Sequence, residues 1–221
     1  MSVVTLSFDN GPDATSTPQV LDVLANRGVR SVFFVLGKQL AAPENLDLAR
    51  RAIAEGHLIG NHSMTHKMPL GDDPRADAAE REIGDTEARI AALASDPPMF
   101  RPFGGGGKIG KHLLSRAAVD HLVAHRYTCV LWNCVPEDWI HHDGWMDRAL
   151  AEIPSKPHAL VVLHDIYPPA MRHLDRFIAT LREAGHTFSQ EMPAECVPIL
   201  KGNIVHDLEP IVNDEPLADY H

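Results

Sequence analysis

The feature that most limits the fold of this chain is an alternation. Short apolar, β-branched runs take turns with longer amphipathic runs over most of the 221 residues. Val3 to Phe8 reads as a buried strand, because a short apolar run bounded by turn residues suits the middle of a sheet. "TSTPQVLDVLANRG" then reads as a helix, with Thr17 able to cap it, Pro18 suited to its first position and Gly28 to its end. Further strands are predicted at "VRSVFFVLG", "HLIGNH", "MFRPFG", "YTCVLWNC" and "HALVVLHD". Helices are predicted between them, at Leu46 to Glu55, over a charged stretch from Asp73 to about Ala94, at "HLLSRAAVDHLVAHR" and at "GWMDRALAEI". Pro169 starts a last helix that Gly185 stops, and "TFSQ" reads as an edge strand. Strands joined by crossover helices form a parallel sheet with helices outside it. About seven such units predict a (β/α) barrel, slightly short of the roughly 250 residues typical of eight. An open doubly wound sheet is the alternative.

The pattern occupies residues 1–191. From about Met192 it stops, and residues 192–221, proline-punctuated and acidic, read as an extended C-terminal tail. Covering the barrel, joining a partner subunit in an oligomer and staying loose are all open to it.

Composition removes several classes of partner. A formal net charge of −10 argues against nucleic acid, whose binders cluster Lys and Arg. No stretch approaches the roughly 20 apolar residues of a membrane span. "MSVVTLSFDN" lacks the basic region, apolar core and cleavage site of a secretory leader, so the expected location is cytoplasmic. The three cysteines, Cys129, Cys134 and Cys196, match no zinc or redox spacing and read as small buried hydrophobes. Histidine stands out at 14 copies, which invites a metal or a proton-transfer role.

In parallel α/β architectures, sites gather at the carboxyl ends of the strands. Asp9 and Asn10 end the first predicted strand, and His62 ends the third, with His66 four residues on. The fourth carries Arg101 and runs into Gly104, the fifth leads to Glu137, Asp138 and Trp139, and the sixth ends in His164 and Asp165. A scatter of surface charge would not single out one edge in this way.

Each motif has a plainer reading. "DNG" is a hairpin signal, but a hairpin needs a second strand directly after it, and a helix follows here. His at i and i+4 can hold a metal from one helical turn, yet with this much histidine about one such pair is expected by chance. His62 and His66 lie at a strand end. His121 and His125 lie inside a predicted helix and are assigned to chance. In "FGGGGKIGKH", Gly105, Gly110 and Lys111 fit a phosphate loop, but His112 stands where Ser or Thr would hold magnesium. A loop that brings a substrate close to backbone N–H groups is the better fit.

Taken together and in order, "SFDNG", "NHSMTH", "FRPFGG", "WNCVPEDW" and "VVLHD" resemble the motifs of the polysaccharide deacetylase family, the NodB-homology carbohydrate esterases. The likeness spans about Val3 to Ser189. It implies a distorted (β/α) barrel and a metal-dependent hydrolase of C–N amide bonds that deacetylates an N-acetylated sugar or oligosaccharide. It also implies a divalent metal ion: zinc, cobalt or another transition metal. Carried over residue by residue, Asp9 matches the base and Arg101 the residue that orients it. His164 matches the general acid and Asp138 the carboxylate that positions it. Asn10, His62 and His66 match the metal ligands. Trp139 and Leu163 match apolar walls around the acyl methyl, and Phe103 and Gly104 the pocket mouth. Asn10 departs from the pattern, since an aspartate is usual there. Val135 replaces another common aspartate, and Phe103 and Gly104 replace a common proline and aromatic. These departures keep two alternatives open: a hydrolase of a small non-sugar amide such as a cyclic imide or ureide, and a non-catalytic carbohydrate-binding module.

Overall fold

A computed structural model describes residues 1–214. The first strand, β1 (Val3–Asp9), is buried along nearly its whole length. Helix α1 (Thr17–Arg27) follows, with Pro18 in its first turn, and Gly28 ends it in the left-handed region at φ 58°. Then come β2 (Val32–Val35), α2 (Pro43–Ala54) and β3 (Leu58–Asn61). A π-helical turn, Glu80–Gly84, runs into α3 (Asp85–Ile90). Next are β4 (Met99–Phe100), β5 (Leu114–Ser115), α4 (Arg116–Ala124), β6 (Thr128–Cys129), α5 (Trp145–Glu152) and β7 (His158–His164). The described chain closes with α6 (Pro168–Met171), α7 (Leu174–Glu183), β8 (Thr187–Phe188), β9 (Ile199–Leu200), β10 (Asn203–Ile204) and β11 (Val212–Asn213).

The main sheet runs β10-β9-β6-β4-β3-β2-β1-β7, with β8 beside the start of β1. Its pairs are parallel except those made by β9. Beyond β6 the chain returns to the far edge of β7 through a parallel bridge from Cys134 to Val161. The sheet therefore curls round and meets itself at that bridge, a distorted half-closed barrel rather than a flat doubly wound sheet. Phe8, Leu6, Leu21, Leu24 and Phe177 pack between the sheet and its outer helices, and Phe100, Leu122, Tyr127 and Ile199 form a second core around α4. Cys129, Cys134 and Cys196 are buried and unpaired. No helix among the described residues is long and apolar enough to cross a membrane.

Several elements differ from the sequence expectation for identifiable reasons. Thr17 does not cap α1: Ser16 holds that position, and the Thr17 hydroxyl donates to the Asp165 carboxylate at 2.6 Å. The charged helix does not begin at Asp73, whose carboxylate is taken up by Arg75. It starts at the π turn, within which Glu82 is buried. The helix expected from His112 is delayed by β5, and Ser115 caps α4 by accepting from the Ala118 N–H. The helix expected at Pro169 is split into α6 and α7. From Met192, where a tail is expected, β9 pairs with β6 and β11 pairs with β5, while Cys196, Ile199, Ile211 and Val212 are buried. The last part of that segment, residues 215–221, lies outside the described residues.

Candidate active site

The carboxyl ends of β1, β3, β4 and β7 open into one cavity of about 220 Å³. Asp9, Asn10, His62, His66, Phe103, Gly104, Trp139 and His164 all line it, whereas Glu137 pairs with Arg148 and Asp165 with Thr17, away from the cavity wall. Leu163 does not. It is fully buried among the helix-side core residues, and Val162 takes its place on the cavity wall. Side chains alternate along a strand, so a β7 that turns His164 inward turns Val162 inward too and Leu163 away.

On one side of the cavity, Arg101 is 0% exposed and donates from Nη1 to Asp9 Oδ1 at 2.8 Å and to Ser7 Oγ at 2.7 Å. Its other nitrogens face the Val130 and Leu131 carbonyls, and its guanidinium lies 4.1 Å from the centre of the Phe34 ring. A planar fork held on that many sides leaves the Asp9 carboxylate little rotational freedom. Ser7, two residues before Asp9 on the same strand face, belongs to this arrangement and was not singled out by the sequence.

On the other side, the Asp138 carboxylate is buried and grips His164 twice. Oδ2 accepts from the His164 backbone N–H and Oδ1 pairs with Nδ1, both at 2.8 Å. Burial works to lower the His164 pKa, but the Asp138 charge and hydrogen bond outweigh it, and the net direction is upward. The ring packs edge-on against Trp139. Next in sequence, Asp165 is fully buried, and its carboxyl is pushed up to about 7 by that burial, with the Thr17 hydrogen bond opposing. A Cβ on Gly11 would come within 2.3 Å of Asp165 Oδ1. The Asn-Gly pair thus serves a close approach between strand ends, not a hairpin.

Between these pairs lie Asn10, His62 and His66. Asn10 takes φ 75° at the end of β1, a conformation asparagine tolerates better than most residues. Its side-chain Oδ1 is buried with no hydrogen-bond partner among the described residues. His62 places Nδ1 2.8 Å from the Arg101 carbonyl, which makes Nδ1 the protonated nitrogen and leaves the Nε2 lone pair free, 3.6 Å from Asp9 Oδ2. Burial, first of all, lowers the pKa of both rings, that of His66 to about 2. An orphaned amide oxygen and two neutral imidazoles are a donor set that fits a divalent transition metal. The expected helical turn is absent, however. Ser63 and His66 have φ of 74° and 55°, and the loop is tied down by Thr65, which donates its N–H and hydroxyl to the buried Glu82.

The mouth is shaped by the glycine run and by aromatics that the sequence did not point to. Trp132 and Tyr167 line the cavity, and Trp132 donates to the Gly107 carbonyl at 2.8 Å. A Cβ on Gly104 would sit 2.5 Å from the Trp132 ring, so that glycine admits the indole. Val135 faces the same cavity where an aspartate is common.

Residues 1–122 match the family model described as polysaccharide deacetylase. A chitooligosaccharide deacetylase of Rhizobium leguminosarum bv. trifolii is 38% identical over 168 residues, 74% of this chain and 72% of that one. Among solved structures, one described as T48 deacetylase with substrate superposes with a TM-score of 0.69 at 28% identity, over 86% of this chain and 88% of the other. A family 4 acetyl xylan esterase from Clostridium thermocellum, solved in complex with a cobalt ion, superposes with a TM-score of 0.70 at 27% identity over 86% and 88%. The family match over residues 1–122, the 38% identity over 168 residues and the structural likeness over 86% of the chain agree: the chain belongs to the polysaccharide deacetylase family.

Proposed function

We propose that this protein removes the acetyl group from an N-acetylated sugar or short oligosaccharide, with Asp9 as base, His164 as acid and a divalent transition metal, zinc in the first instance, held by Asn10, His62 and His66. The observation that carries this reading is the pairing across the cavity: a carboxylate oriented by a buried arginine faces an imidazole whose pKa is raised by a buried carboxylate. A binding module needs neither. When bound, a divalent ion polarises a carbonyl and lowers the pKa of a water.

The chain's own residues do the rest. Asp9 accepts the proton of the attacking water while Arg101 keeps its carboxylate aimed. Asp138 holds Nδ1 of His164, so Nε2 is the nitrogen that carries a proton to the departing amine. The C–N bond breaks, the amine leaves with that proton and the acyl group leaves as acetate. Trp139, Val162 and Tyr167 form an apolar wall that limits water around the acyl methyl.

Acetate release from N-acetylchitooligosaccharides by protein purified without chelators tests the reading. Release should stop on chelation and return with added Zn²⁺ or Co²⁺. Protein that binds the metal but frees no acetate would sink it. Asn10→Asp should tighten metal binding by at least about tenfold, the size that outer-shell changes alone can give. A Kd that does not change would remove Asn10 from the ligand set.

The pH profile gives an independent check. The acid must be protonated, so the rate should fall as pH rises through the raised pKa of His164. Asp138→Asn removes the charge that raises it and should move the alkaline limb to lower pH. An unmoved limb would mean that another group donates the proton.

A further inference from the structure

We propose that Glu87, His121 and His125 form a second site for a divalent transition metal, away from the catalytic cavity. None of the three lines that cavity. The sequence gives no ground to separate His121 and His125 from a chance pair. The fold supplies what the sequence could not, a third ligand from a different element. Glu87 on α3 lies against the last turn of α4, where the two imidazoles stack 4.1 Å apart.

Glu87 Oε2 is 3.3 Å from His125 Nδ1 and 3.9 Å from His121 Nε2, and one ligand atom from each of the three lies within 4.8 Å of the others. Ligands about 2.0–2.1 Å from a tetrahedral metal sit roughly 3.3–3.5 Å apart. One edge already has that length, and the rest need a tilt of the stacked rings toward a common point.

A second observation points to a ligand. The His121 side chain is only 9% exposed, and its Nε2 is buried with no hydrogen-bond partner among the described residues. An imidazole nitrogen buried without a partner carries a desolvation cost that a metal would remove. Its other nitrogen, Nδ1, lies 3.8 Å from Glu80 Oε2 in the π turn. That is too long for a hydrogen bond, but Glu80 is exposed and a small rotation would let it accept from the far nitrogen of a ligating His121. Two imidazoles and one carboxylate suit zinc, copper(II) or nickel(II) better than calcium or magnesium. His125 is 46% exposed, which leaves a coordination position open to water. Bound there, the metal would clamp α3 to α4 and stiffen the segment whose Glu82 anchors the His62–His66 loop.

The experiment is zinc stoichiometry by isothermal titration on untagged, chelator-stripped full-length chain. The quantity read is the difference between wild type and His125→Ala, so the result does not depend on how much metal the catalytic cavity holds. His125→Ala should lose one equivalent at micromolar Zn²⁺. Glu87→Gln, also a surface-accessible change, should lose or strongly weaken the same equivalent, and His66→Ala should keep it. Equal stoichiometry in wild type and His125→Ala would overturn the proposal. So would a Glu87→Gln variant that keeps both the wild-type stoichiometry and the wild-type affinity.

Discussion

Asp9→Asn should lower acetate release by about 10²–10⁴-fold, the contribution of a well-placed general base, while the protein stays folded. Asparagine keeps the shape of the side chain and can still accept from Arg101 Nη1 and lie beside His62. What it loses is the basicity needed to take a proton from water. The loss should fall on kcat with little change in KM, because the carboxylate acts on the water and not on the sugar. Circular dichroism and kcat for the purified variant decide the matter. A variant that keeps most of its turnover would show that another group activates the water.

Arg101→Leu should be the most destabilising of the substitutions considered, by about 3–5 kcal/mol, as expected when one partner of a buried ion pair is removed. The guanidinium is fully buried and satisfies the Asp9 carboxylate and the Ser7 hydroxyl at once, with the Val130 and Leu131 carbonyls also in reach. Leucine fills part of the volume and satisfies none of them. Most of the cost comes from stranding the Asp9 charge in the interior, so Arg101→Leu combined with Asp9→Asn should be less destabilised than Arg101→Leu alone. Urea denaturation of the single and double variants measures both effects. A shift below about 1 kcal/mol for Arg101→Leu, the size typical of exposed pairs, would mean that water reaches Asp9 and takes the arginine's place.

Much of this was legible in the chain. The apolar runs and their caps give β1, α1, α2 and β7 within a few residues, since periodicity and terminal Pro and Gly are local signals. The strand-end rule then collects Asp9, His62, Arg101, Asp138 and His164 before any coordinate is known. One misassignment and one omission could have been avoided with the same tools. If His164 faces the cavity, alternation selects Val162 over Leu163, and the same count back from Asp9 finds Ser7. Other features were not readable. His66 reaches the cavity through left-handed turns at Ser63 and at His66 itself, a geometry set by the distant Glu82. Trp132 and Tyr167 come from irregular segments whose direction depends on tertiary packing. The two-residue strands after Met192 are too short to show a period, and their burial comes from contact with β5 and β6. Glu87 joins His121 and His125 across a boundary between helices that no sequence spacing encodes.

The two buried pairs that face each other across the cavity differ in how far apart their members lie along the chain. Asp138 and His164 are 26 residues apart, and Asp9 and Arg101 are 92 apart. By loop-closure entropy, joining the longer loop costs about 1 kcal/mol more than the shorter one. The Asp138–His164 pair can come together within one strand-helix-strand unit, whereas the Asp9–Arg101 pair needs β1 and the end of β4 in place across the sheet. A partly assembled chain is therefore biased toward having Asp138 on His164 before Arg101 reaches Asp9. The Arg101–Asp9 contact therefore forms only once β1 and the end of β4 both stand in the sheet, and activity that depends on it waits for that assembly.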